Sequence, residues 1–417
     1  MLIKQNPFTS STFVSKWMKH FNANNREISF NFIKNLSFFK ASKFPLFINS
    51  GKNLTKGISY SAQEVEVTTF KNSTILIYDV PKYFNNNTSN LPKNIKHYSI
   101  KQYPGYLTEL NKFKNLDGYL QATFSKKSRA KLNRYQKRLE LCFEVHYKMY
   151  CGEINREDYD FIFKSFKGLL EKRFTEKQTT NNNLQADEWA FYYDVTYLLI
   201  LEKKAALFVI YEGKNPIGVT LNYLSENILF HGITTFDIDY SKFHLGKIML
   251  KNLFGWCFEN DIKILDFSKG HFTYKTEWMT KKYDFEYHLY VNQSSITSRT
   301  TGLIIKYFFK SKQFLRDKEV NEKLHQLTYK FSKGKNIVDK KLKYSFIEVE
   351  KNTPNTSLTK IDFYLDKFLF MKIIINEFLF LNSEKLKCFE LYSINNKEKT
   401  YLFKGDKTTK ILLIDKQ

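Results

Sequence analysis

Disulfide chemistry has no footing in this sequence. Its 417 residues contain four cysteines, Cys142, Cys151, Cys257 and Cys388. None belongs to a C-x-x-C pair, and the spacings suit neither a zinc site nor a disulfide framework. A reducing cytoplasm is the expected setting, and no metal is expected. Long apolar runs are missing too. Met1–His20 lacks the apolar core of about 7–15 residues that a secretory signal needs. The most apolar window, Tyr364–Leu381, is interrupted by Asp366, Lys367, Lys372, Asn376 and Glu377, so no membrane span is expected. No P-loop and no Ser-His-Asp grouping is present, which leaves out two common nucleotide and hydrolase chemistries. Acidic residues are the scarce charge: 42 Asp and Glu stand against 66 Lys and Arg, a formal charge of +24. Such an excess invites an anionic partner. Codon bias toward Lys, Asn, Ile, Phe and Tyr produces the same excess, so charge alone names no partner. Aromatic residues reach 17% but are dispersed, as core residues are.

What the chain does have is one well-ordered stretch, Leu207 to Val291. Three apolar runs, Leu207–Tyr211, Ile217–Leu224 and Ile228–Phe236, are separated by Gly213-Lys214-Asn215-Pro216 and Ser225-Glu226-Asn227. That punctuation predicts a three-strand antiparallel meander. Next, Leu245, Ile248, Met249, Leu253 and Trp256 fall on one face of a predicted helix. A strand at Ile262–Phe267 follows, then His271–Trp278 and an alternating run from Tyr283 to Val291. The predicted order is β-β-β-α-β-α-β.

With its residues in place, this stretch resembles the GNAT acyltransferase fold. More narrowly, it resembles the branch of cellulose-biosynthesis acetyltransferase-like and Fem-type aminoacyl transferases. Three features carry the resemblance: a basic helix from Phe124-Ser125-Lys126-Lys127-Ser128-Arg129-Ala130-Lys131-Leu132, the pair Leu245-Gly246 opening the later helix, and Asp266-Phe267-x-x-Gly270-x-x-x-Tyr274-Lys275-x-x-Trp278. The resemblance covers about Gly118 to Val291. The third is the most specific, fixing several residue types beside a strand end. The fold class implied is α+β, a mixed and mostly antiparallel sheet flanked by helices, with a β-containing N-terminal region and a small C-terminal accessory domain. The domains expected are 1–117, a possible reduced first GNAT-like lobe; 118–295, the acyltransferase domain; 296–340, a basic helical segment; and 341–417, a strand-rich accessory domain.

The resemblance implies N-acyl transfer from acetyl-CoA or another acyl-CoA, a co-substrate, to an amine on an amino sugar, glycan precursor or other small molecule. Acyl transfer to an amine needs a held thioester, a donor for the tetrahedral oxyanion and a route for the ammonium proton. Leu245, Gly246 and Lys247 stand where helix N-terminal N–H groups would meet a pyrophosphate. Asp266 ends an otherwise apolar strand, where a carboxylate needs a partner. Lys275, nine residues on, is expected to reach back to it and to steady negative charge on substrate or oxyanion; a structural ion pair is the other reading. Tyr274 is the candidate acid toward the leaving thiolate. His231, on the third meander strand, is the candidate base, with His271 a looser one. Each has a plain packing alternative, and Trp278 reads as core or substrate wall. Two further readings stay open: a Fem-type enzyme with aminoacyl-tRNA as donor, and a non-catalytic binding protein. Ile248 keeps the latter open by standing where the acyl-CoA pattern has a second small residue.

Outside that stretch the sequence gives separate elements. Val65–Thr69 and Thr74–Val80 read as strands, and Asn85–Asn90 as a loop. In the basic helix Leu132, Tyr135, Leu139 and Cys142 form an apolar stripe, and its like-charged i,i+4 pairs repel weakly, which points to an anionic partner or a solvated face. Helices are predicted over Asn155–Phe174, with Asn155 as cap, and over Asp187–Glu202, with a loop at Gln178–Gln185 between. Thr301–Lys335 reads as mostly helical and very basic, with a partial apolar face of Ile304, Tyr307, Phe308, Phe314 and Leu315. Ser345–Glu350, Leu386–Tyr392 and Ile411–Ile414 read as strand-like, and Lys351–Thr356 as a linker.

Overall fold

A computed structural model of the chain describes residues 3, 5–41, 45–65, 70, 72–84, 86, 91–177, 181–318, 343–349, 358–395 and 398–415. The first part carries helix α1 (Ser11–Phe21) and strands β1 (Ile28–Phe30), β2 (Ile33–Lys40), β3 (Leu46–Asn49), β4 (Ser61–Ala62), β5 (Thr74–Pro81) and the long β6 (Ile95–Glu109). Helices α2 (Leu116–Thr123) and α3 (Lys126–Cys142) lead to β7 (Val145–Tyr150). Then come α4 (Arg156–Glu176), α5 (Ala186–Leu201) and the meander β8 (Ala205–Glu212), β9 (Asn215–Ser225) and β10 (Ile228–Phe236). Helix α6 (Leu245–Glu259), β11 (Ile264–Lys269), α7 (Thr273–Trp278), β12 (Lys281–Asn292) and α8 (Ile296–Asp317) follow. The chain closes with β13 (Tyr344–Glu348), β14 (Leu358–Ile361), helix α9 (Lys372–Asn382), β15 (Glu390–Ile394), β16 (Thr400–Lys404) and β17 (Thr409–Ile414).

Strands β1 to β12 form one sheet in the order β1-β2-β3-β5-β12-β6-β11-β10-β9-β8-β7, with β4 paired to β2. Pairing is antiparallel except at β3–β5 and β10–β11. A second, five-stranded antiparallel sheet, β13-β17-β16-β15-β14, stands apart. The α+β architecture and mostly antiparallel sheet follow the expected pattern.

Period-two alternation on β8 decides which helices cover which face. Leu207, Val209 and Tyr211 enter one apolar core with Phe13 and Trp17 of α1, Ile162 and Phe166 of α4, and Val195 of α5. Ala206, Phe208 and Ile210 enter another, with Leu132 and Leu139 of α3, Leu253 and Phe254 of α6, and Ile374 and Phe378 of α9. The apolar window Tyr364–Leu381 therefore includes a helix of the second core. Among the described residues no helix is long and apolar enough to cross a membrane.

Local chemistry sets several element ends. The Ser125 hydroxyl accepts from the Ser128 N–H at 3.3 Å, opening α3. Asn155 caps α4 by accepting from the Asp158 N–H at 2.7 Å. Three expectations differ in detail. The Leu386–Tyr392 strand is a short 3-10 turn at Leu386–Cys388 followed by β15 from Glu390. Ile262 donates its N–H to Cys257 in the exit from α6, so β11 begins only at Ile264. The apolar set on α8 exists but points outward: Ile304, Tyr307, Phe308, Phe314 and Leu315 are all exposed. Facing the sheet instead are Ser298, Thr301, Gly302, Phe309 and Gln313. Residues 66–69, most of Asn85–Asn90, Gln178–Thr180, 319–335 and Lys351–Thr356 lie outside the described residues.

Candidate active site

Strands β10 and β11 run parallel but pair only over Ile228–Phe230 with Ile264–Asp266. Beyond that register β10 stays with β9, through an irregularity between His231 and Ile233. β11 stays with β6, through another between Asp266 and Lys269. The sheet therefore opens like a V whose apex is Asp266. Ser268 takes φ +59° there, and α7 follows with contacts to both strands, Tyr274 to His231 and Lys275 to Lys269.

Asp266 is fully buried. Its Oδ1 accepts from the Ser268 N–H at 2.6 Å, and its Oδ2 from the Tyr83 hydroxyl at 2.7 Å. The Tyr283 hydroxyl sits 2.8 and 2.7 Å from the two oxygens. Tyr283 lies across β6 at Gly105, where a Cβ would come within 2.3 Å of its ring; only glycine lets the phenol through. Burial pushes the Asp266 carboxyl up to about 6, against the lowering pull of the two phenols, the Ser268 amide and Lys275.

Lys275 does not close an ion pair with Asp266, contrary to the sequence expectation. Its Nζ donates to the backbone carbonyls of Lys269 at 2.8 Å and Ser268 at 3.3 Å. The physical reason is local. The β11 irregularity turns two carbonyls toward α7, and two phenols already occupy the carboxylate. Burial, with help from the Lys56 ammonium, lowers the Lys275 ammonium to about 7. Lys56 is itself lowered to about 8 by burial and by Lys269.

His231 is buried, its Nε2 2.9 Å from the Thr234 hydroxyl, while Nδ1 has no partner. Burial, Lys275 and Lys56 hold its ring near 3, so the imidazole is neutral around pH 7. Its ring meets Phe267 at 5.8 Å and Tyr274 at 6.2 Å between centroids. Burial raises the Tyr274 phenol to about 12, with Arg173 pulling the other way. His231, Tyr274, Lys275 and Asp266 are thus gathered around one opening. Trp278 is core: it packs on Phe124 and Phe254, and its carbonyl accepts from Thr108 at 2.7 Å. His271 is exposed and bonded to the Tyr106 hydroxyl at 2.9 Å.

The α6 N-terminus lies at the mouth. His244 caps it in the left-handed region, φ +54°, and Leu245 is buried in the core. Gly246 has a packing role in addition to the one expected for it. A Cβ there would come 2.9 Å from the Phe236 ring, so packing alone already requires glycine. Lys247 pairs with Glu277 at 3.3 Å, tying α6 to the helix that carries Tyr274 and Lys275. The His244 imidazole is lowered by burial and by Lys247 and Lys131, so a cation of α3 stands near this mouth.

Residues 126–276, the span that contains the opening, match the family described as acetyltransferase (GNAT) domain. This segment is a GNAT-type domain. No curated protein matches the chain. Among solved structures, FemX is 10% identical with a TM-score of 0.46, over 69% of this chain and 92% of its own. A Bacteroides thetaiotaomicron protein of unknown function is also 10% identical, TM-score 0.44, over 69% and 91%. The L-PGS from Bacillus licheniformis is 9% identical, TM-score 0.39, over 74% and 98%. Acyl transfer is the general chemistry of the GNAT domain.

Sequence reasoning missed four neighbours of this site. Tyr83 and Lys56 come from the first part of the chain, more than 180 residues from Asp266, and no local pattern marks them. Arg173 of α4 lies 4.5 Å over the Phe236 ring. Tyr283 opens a strand already predicted to alternate, which was the one available signal. Among the described residues no three His, Cys, Asp or Glu side chains gather as a metal site would require.

Proposed function

We propose that the GNAT domain moves an acyl group from acyl-CoA to an amine acceptor, with Lys275 taking the ammonium proton. One observation carries this reading. A neutral lysine amine has two N–H bonds and one lone pair, and two carbonyls engage Lys275. The lone pair is then the group left for the substrate. A proton affinity near 7 suits a base working at neutral pH. Tyr274 keeps its proton at that pH and serves as acid toward the departing thiolate. The first-turn N–H groups of α6, with Lys247 and Lys131 nearby, suit a diphosphate.

In the reaction the amine nitrogen bonds to the thioester carbonyl carbon as the carbonyl π pair moves to oxygen. The nitrogen's extra proton passes to Lys275. The oxyanion then collapses, the C–S bond breaks, and Tyr274 protonates the sulfur. Asp266 holds the β11 irregularity through Ser268 and acts as a positioning residue.

A second reading has its own observation. Lys126, Lys127, Lys131, Arg134 and Lys137 of α3 are all exposed, over a helix roughly 25 Å long, longer than a diphosphate needs. An aminoacyl-tRNA donor would engage such a face through its backbone. Thermal unfolding with acetyl-CoA and, separately, with charged tRNA distinguishes the two, because a ligand of the folded state raises the melting temperature. Stabilisation by acetyl-CoA is expected. Stabilisation by charged tRNA alone would transfer the reading to the second donor, and none by either would leave a binding protein.

A further inference from the structure

Helix α8 packs a small and largely polar side on the sheet and turns its apolar side outward. On the inner side Phe309 lies against Tyr287 with ring centroids 4.0 Å apart. Gly302 meets Val291, and the Ser298 hydroxyl donates to the Ser73 carbonyl at 2.6 Å. Arg316 sits 3.5 Å over the Tyr103 ring. These contacts clamp the helix to β5, β6 and β12, so its rotation about its own axis is fixed.

The outer side is therefore displayed and not an averaged surface. Ile304, Tyr307, Phe308, Phe314 and Leu315 are 48 to 61% exposed. At 100° per residue they cover one continuous arc of the helix. Cations border that arc on both edges, Arg299 and Lys310 on one and Lys312 on the other, all exposed. Within α8 the first acidic residue is Asp317, at its last position. An apolar arc between two rows of cations, on a helix packed against the sheet, matches a flat surface that is apolar beneath and negative at its boundary.

We infer that α8 docks this protein in the plane of an anionic lipid bilayer. The apolar arc enters the boundary between headgroups and acyl chains, and Arg299, Lys310 and Lys312 meet lipid phosphates. At 22 residues the helix lies along about 33 Å of surface. Charge complementarity selects this occupant: a second copy of the chain would bring the same cations against themselves. The inference is independent of the chemistry at Lys275.

The test is co-sedimentation of the full chain with vesicles of phosphatidylcholine alone or mixed with phosphatidylglycerol. Binding is expected only to the mixed vesicles, weakening as salt rises. Each cation near such a surface contributes about fivefold in affinity, so Arg299→Gln/Lys310→Gln/Lys312→Gln should bind roughly a hundredfold more weakly. Ile304→Ser/Phe308→Ser should also lose binding. These positions are exposed, so the variants should melt as wild type does. Phe308→Trp provides a readout that does not depend on them, its added emission shifting to the blue on mixed vesicles. Failure to bind mixed vesicles, or binding without that shift, overturns the inference. So does a concentration-dependent dimer abolished by Ile304→Ser/Phe308→Ser without vesicle binding, or tRNA binding on the same cations in its place.

Discussion

Lys275 is a cation that its surroundings do not want. Water is excluded, two carbonyls accept from it, and the nearest carboxylate is already held by two phenols. Its proton affinity falls from 10.5 to about 7, and the sign of the consequence follows. In the unfolded chain the amine is protonated below 10.5, while in the fold it is protonated only below about 7. Between those values the unfolded state binds more protons, so stability rises with pH across that window and is flat below it. Lys275→Met should remove this slope, worth on the order of a few kcal/mol, and measured by urea unfolding between pH 6 and 10. The same variant should lower turnover by roughly 10²–10⁴, the usual range for losing one general base. Turnover of the wild type should climb through pH 7. A profile that falls there would assign Lys275 to holding the oxyanion as an ammonium.

At the scale of elements, the opening exists because β11 breaks register after Asp266, and β6 admits a phenol at Gly105. Gly105→Ala places a methyl against the Tyr283 ring. Overpacking of this kind costs about 1–3 kcal/mol, and the phenol should be displaced from the carboxylate. Tyr283→Phe removes the hydroxyl but leaves the ring. Both variants should reduce turnover, and only Gly105→Ala should add the packing loss in urea unfolding. Equal stability in the two would mean that the glycine accommodates nothing essential. Much of this geometry was readable beforehand, because alternation and turn residues specify the meander, and Asn155 caps its helix as its side-chain chemistry requires. The motif from Asp266 to Trp278 does bring Asp266, Tyr274 and Lys275 around one opening. What it concealed was who partners whom. Asp266 and Lys275 look complementary along the chain, yet in space Tyr83 partners the one and two carbonyls the other, and neither leaves a periodic trace. The α8 arc was visible as a pattern, but periodicity identifies an apolar face without saying whether it turns inward.

For the whole molecule, the C-terminal part is fastened beside the site by charge as well as by its apolar helix. Lys172 of α4 and Lys372 of α9 meet Asp237 at 2.6 and 3.0 Å, just before the α6 mouth. Burial alone would raise the Asp237 carboxyl, and the two lysines outweigh it, holding the group below its ordinary 3.8. A carboxyl lowered in the fold stabilises above its unfolded value and loses that contribution as pH falls through the folded one. Lys372 is 40% exposed, so solvent discounts the pair to about 1 kcal/mol. Lys372→Ala should cost that much at pH 7 and progressively less as pH falls below 3.8, measured by urea unfolding. An unchanged stability at pH 7 would show that the apolar contacts of α9 suffice. The order of the large sheet has a consequence in time. β12 lies between β5 and β6, yet it is synthesised about 170 residues after β6 ends. At roughly 5–20 residues per second, a nascent chain waits about 10–35 seconds with β5 bare on one edge and β6 bare on both for most of that time. The first half of this protein therefore cannot finish folding as it emerges, and its birth depends on whatever shields those edges until the second half arrives.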